Sequence, residues 1–99
     1  MSITAFTPAA YTEKAVTGTS VATALPGSSN ATAQLTNLGP NPVVALLGTS
    51  NAVVVTNSTG FIILPGTQIF VSVGSNTYIA MMTLGGGPSN SRVNITMGV

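Results

Sequence analysis

Residues 31–42 read Ala31-Thr32-Ala33-Gln34-Leu35-Thr36-Asn37-Leu38-Gly39-Pro40-Asn41-Pro42. In the first half, Ala31, Ala33 and Leu35 fall on one side of an extended chain and Thr32, Gln34 and Thr36 on the other, which is the period of a half-buried strand. The second half cannot hold a ladder, because two prolines and a glycine remove donors and bend the backbone. Asn37 to Pro42 is therefore read as a turn. A short strand closed by a turn-forming cluster is the unit that repeats through the rest of the chain.

From Thr19 onward, apolar stretches return every 8 to 12 residues with Gly, Pro, Asn and Ser between them, the spacing of a β-sandwich or small barrel. Thr19 to Leu25 is a strand candidate stopped by Pro26-Gly27. Val43 to Leu47 and Ala52 to Thr56, separated by Gly48-Thr49-Ser50-Asn51, read as a hairpin whose strands are apolar on both faces, so that one face meets the core and the other a second partner. Phe61 to Leu64 precedes the Pro65-Gly66 turn. In Gln68 to Val73, Ile69, Val71 and Val73 share one face and Gln68, Phe70 and Ser72 the other. Gly74-Ser75-Asn76 turns into Thr77 to Met82. After the loop from Gly85 to Ser91, Val93, Ile95 and Met97 alternate with Asn94 and Thr96. No segment carries a helical period. The expected fold is all-β: a single-domain antiparallel β-sandwich or small barrel of about eight short strands, with an extended N-terminal arm. Residues 1–18, where Pro8-Ala9-Ala10 and the Thr and Ala content give no clean period, form the arm, and 19–99 the domain.

Composition bears on function more sharply than any motif. The chain of 99 residues has no His, no Cys and no Asp, and its charged side chains are Glu13, Lys14 and Arg92. Proton transfer, nucleophile activation and metal ligation run mostly through residue types that are missing, so no enzyme, catalytic residue, metal or cofactor is expected. A charged fraction of 3% against about 25% in an average soluble domain points to a life docked in an assembly, since free monomers keep charge for solubility. The 44% apolar content argues for a folded chain. Two basic residues cannot neutralise a run of phosphates, so nucleic acid is not an expected partner. No apolar stretch is long enough for a membrane-spanning helix, and the first residues lack the basic and apolar regions of a secretory signal. The Asn-x-Ser/Thr triplets at Asn30, Asn57 and Asn94 are what chance gives in so polar a chain.

Gly85-Gly86-Gly87 is followed by Pro88 rather than a helix, so it is read as a loop between strands and not as a phosphate cradle. The rings of Phe6, Tyr11, Phe61, Phe70 and Tyr78 suggest sugar stacking. With one ring per strand and no Trp, packing in a core or interface is the preferred reading and carbohydrate the lesser one. Arg92 is read first as a solvated charge and second as a partner for Glu13 across a subunit boundary.

Leu25-Pro26-Gly27-Ser28, the turn Asn37 to Val43, Leu64-Pro65-Gly66-Thr67 and Thr77-Tyr78-Ile79-Ala80-Met81 together resemble the small β-sandwich structural proteins of tailed bacteriophages, of the capsid decoration or cement type. The resemblance covers Leu25 to Met97 and brings no catalytic residues. It implies a virion protein on the capsid surface, made in the host cytoplasm. Such a protein binds the major capsid protein and forms a homo-oligomer, a trimer in preference. Its protein interface is expected at Tyr11, Glu13, Lys14, Val44, Leu46, Val54, Phe70 and Arg92. The alternatives are a receptor- or carbohydrate-binding module of a tail or fibre, and a minor head or tail connector subunit.

Overall fold

The computed structural model describes residues 8–26, 32–84 and 90–98. They form β1 (Pro8–Val16), β2 (Val21–Ala24), β3 (Thr32–Gly39), β4 (Val43–Gly48), β5 (Phe61–Ile63), β6 (Gln68–Ser72), β7 (Tyr78–Thr83) and β8 (Ser91–Gly98). The strands build two four-stranded sheets, ordered β1-β8-β3-β6 (the first sheet) and β2-β7-β4-β5 (the second). Every pairing is antiparallel. The sheets stay open and separate, so the chain is a sandwich rather than a barrel.

Alternation decides which side chains go inside. Ala33 and Leu35 of β3 and Val93, Ile95 and Met97 of β8 meet Val43 and Ala45 of β4, Ile63 of β5 and Ile79 and Met81 of β7. All are buried, and removing their apolar surface from water is what holds the sheets together, at ~25 cal/mol per Å².

A buried amide laces the sheets at one end. Asn37, at the end of the alternating run, has no exposed surface. Its Nδ2 donates to the carbonyl oxygens of Asn41 at 2.9 Å and Ile63 at 2.8 Å, while Oδ1 accepts the Gly39 N–H at 2.8 Å. The same turn is pinned from β8: the buried Ser91 hydroxyl accepts the Asn41 N–H and donates to the Asn41 carbonyl, both at 2.8 Å. The Gly39–Pro40 peptide is cis, and Gly39 sits at φ 83°, a left-handed conformation that favours glycine.

The strand count matches expectation, but its membership differs. Residues 8–16, assigned from sequence to the arm, are β1, paired along their length with β8. Their inward positions, Ala10, Thr12, Lys14 and Val16, mix polar with apolar residues, which hides the period. Residues 1–7, Gly27 to Ala31 and the Gly85 to Ser89 part of the glycine-rich loop lie outside the described residues. The expected turn also starts later, since Asn37, Leu38 and Gly39 still belong to β3.

Ala52 to Thr56 is not a strand, and the partner of β4 on that side is β5. Residues 49–60 instead form a loop that folds over the outer face of the second sheet. Val55 is buried there with Val44 and Ala80, and Val53 packs against the same cluster together with Leu46, Met82 and Leu84. Ser50 O accepts the Val53 N–H at 3.3 Å, and the Ser20 hydroxyl accepts the Val55 N–H at 3.1 Å, so local and side-chain acceptors replace a strand ladder. The second apolar face of β4 is thus partly covered by the chain itself: Val44, expected at an interface, is 1% exposed, while Leu46 stays half-buried beside it.

Candidate interaction surface

The register places side chains on the two outer faces in rows across the strands. On the first sheet one row runs Tyr11, Thr96, Gln34, Phe70 and the next Glu13, Asn94, Thr36, Gln68. Thr32 and Ser72 are paired above them, and Arg92 lies below. Every one of these side chains is exposed or half-buried, so nothing among the described residues covers the face. Its interior is amide and hydroxyl, and the Thr96 hydroxyl donates to Asn94 Oδ1 at 2.7 Å. Two aromatic rings end the first row, with Tyr11 76% and Phe70 52% exposed.

The outer face of the second sheet is apolar. Ala22, Ala80 and Leu46 form one row, and Met82, Val44 and Ile62 another. Val53 and Val55 cover its middle. Val54, between them, turns away and is 62% exposed, and Ile62 and Leu64 remain 51% and 56% exposed at the β5 side. No charged side chain lies on this face.

Edges add a third feature. Each edge strand exposes one large apolar side chain: Tyr11 on β1, Phe70 on β6, Val21 on β2 and Ile62 on β5. Soluble monomers guard such edges with charge, proline or bulges. Here β1 carries Glu13, Lys14 and a register shift near Pro8, whereas β2, β5 and β6 carry no charge at all.

The residues singled out from sequence thus separate. Tyr11, Glu13, Phe70 and Arg92 share the outer face of the first sheet. Lys14 is on the inward side of β1, half-buried opposite Val93. Val44 is buried, Leu46 is half-buried beside it, and Val54 is exposed on the covering loop. Arg92 Nε lies 2.8 Å from Glu13 Oε1 within one chain, and the Arg92 side chain stays 69% exposed to solvent. Sequence inspection missed Ile62 and Leu64, because an apolar run next to a turn reads as core until strand order shows which side is open.

Among the described residues no group of His, Cys, Asp or Glu is placed to hold a metal ion, and no helix is long and apolar enough to cross a membrane. No protein-family model, curated protein or solved structure matches the chain.

Proposed function

We propose that the chain is a structural subunit of a virion, a decoration or cement protein that docks on the assembled capsid shell through the second-sheet side and turns the first sheet outward. The observation that carries this is the contrast between the two outer faces. One is uncharged and apolar, with Val54, Ile62 and Leu64 exposed; the other is a solvated amide and hydroxyl surface. A side that stays docked needs no charge for solubility, and apolar side chains lost from water there supply the contact. The open edges of β2 and β5 flank the apolar side and offer backbone donors and acceptors to a neighbouring strand, either of the shell or of another copy in a homo-oligomer. Binding only the assembled state stabilises it by mass action.

Quantitative mass spectrometry of purified particles tests the assignment. Abundance near that of the major capsid protein supports it, a few copies per particle moves the chain to a tail, fibre or connector position, and absence from particles refutes a virion role. Native mass spectrometry of the free chain counts the copies in the oligomer, with a trimer expected.

A further inference from the structure

We propose that the outer face of the first sheet is a binding platform for an uncharged glycan, with Tyr11 and Phe70 as stacking rings at its two ends. The inference rests on that face alone and stands whether or not the chain is a shell component. Strand order brings together what the sequence scatters: Tyr11 on β1, Thr96 on β8, Gln34 on β3 and Phe70 on β6 share a single row. Strands are ~4.8 Å apart, so the two rings stand about 14 Å from each other across three intervals, the span of a short oligosaccharide.

Between and beside the rings lie side chains that suit sugar hydroxyls. Gln34, Gln68 and Asn94 each offer a donor and an acceptor, Thr32, Thr36 and Ser72 add hydroxyls that do both, and Thr96, whose proton goes to Asn94, adds an acceptor. The Thr96 hydroxyl holds Asn94 Oδ1 at 2.7 Å, which fixes the amide before a ligand arrives. Aromatic faces supply the apolar contact for the C–H side of a pyranose, and an exposed ring at each end leaves the middle open to a linear ligand.

Charge selects among occupants. Among the described residues the ionised groups on the face are Glu13 and Arg92, which pair at 2.8 Å and cancel, so these strands offer no net charge to attract phosphate, sulfate or uronate. An ordinary solvated face carries lysines and glutamates whose hydration resists contact. Here those are replaced by amides and hydroxyls that exchange water for sugar hydroxyls nearly evenly. A protein partner would need an apolar centre to displace water, and the centre of this face is polar.

The test is titration of the full chain with cellohexaose, maltohexaose and a heparin hexasaccharide, followed by amide chemical-shift mapping. Binding of a neutral hexasaccharide, with shifts confined to outward residues of β1, β8, β3 and β6, is expected. Tyr11→Ala and Phe70→Ala should each weaken it about fivefold, the order of one aromatic contact. Gln34→Ala, from the middle of the row, gives a second probe should an edge variant fold poorly, and it too should weaken binding. Ile62→Ser on the opposite side should leave affinity unchanged. Absence of binding by both neutral probes at millimolar concentration overturns the proposal, as do shifts on the second sheet or affinity that survives both ring substitutions. Preference for the heparin fragment overturns the uncharged class.

Discussion

Replacing Asn37 with alanine should unfold the domain far more readily than its size suggests. The side chain is fully buried and makes three hydrogen bonds, to Asn41 O, Ile63 O and Gly39 N. Each is worth about 1 kcal/mol net, and a buried backbone group left without a partner costs about 1–3 kcal/mol, so the loss comes to roughly 3–5 kcal/mol. That is a large part of the ~5–15 kcal/mol that holds a domain folded. For a chain of this length each kcal/mol moves Tm by about 4–8 °C, which gives a fall of roughly 12–40 °C. Urea unfolding followed by far-ultraviolet circular dichroism should show a lower midpoint with an unchanged slope. Asn37→Asp sharpens the test. It keeps an acceptor for Gly39 but turns a carboxylate towards two carbonyl oxygens, so the folded state should raise that carboxyl above its ordinary ~3.9. A group whose pKa is raised by folding favours the folded state below its unfolded value and loses that support as pH rises, so the variant's deficit should shrink in acid and be complete at neutral pH. An Asn37→Ala cost below about 1 kcal/mol, or an Asp variant as stable as the parent at pH 7, would refute the idea that this amide laces the sheets.

The covering loop and the open face give further expectations. Leu46→Asp places a charge in the cluster under the loop and should destabilise by about 3 kcal/mol or more, whereas Val54→Asp, on an exposed side chain, should stay within about 0.5 kcal/mol and weaken shell binding alone; chemical denaturation beside co-sedimentation with empty shells separates them. Gly60→Ala would drive a Cβ into the Ala45 carbonyl at a φ of +92°, so it should cost about 2 kcal/mol or more, while Gly66→Ala meets nothing within 4 Å and should cost about 1 kcal/mol from its positive φ alone; paired thermal melts decide. Arg92→Gln breaks an ion pair whose side chains are 69% and 39% exposed, and denaturation midpoints should move by less than about 0.5 kcal/mol.

Periodicity exposed the elements whose inward positions are uniformly apolar. Leu35 and Ile95 could be assigned to the core without a structure, because their neighbours at the opposite parity are Gln34 and Thr36, and Asn94 and Thr96. Two misreadings have the same physical root. An apolar run states that its side chains will be buried, not that its backbone will find a strand partner. Val53 and Val55 are buried as loop residues, with the Val55 N–H satisfied by a serine hydroxyl. Conversely, β1 gains its ladder from β8, at the far end of the sequence, and Lys14 and Thr12 on its inward side conceal it. The aromatic row was equally invisible, since it exists only because β8 and β3 lie between β1 and β6.

The placement of the last two strands governs how the molecule is made. β7 lies between β2 and β4, and β8 between β1 and β3, so one of the two interior strands of each sheet is made only after the six strands from β1 to β6. Until then β1 and β2 have no ladder to join, and the early β3–β6 and β4–β5 pairings present the inner sides of Leu35, Val43 and Ala45 to water. Folding therefore waits on non-local contacts that complete both sheets at nearly the same moment. Nascent chains stalled before Tyr78 hold the sticky half of a sandwich that lacks one interior strand of each sheet, and it is at this stage that the cell must keep them apart.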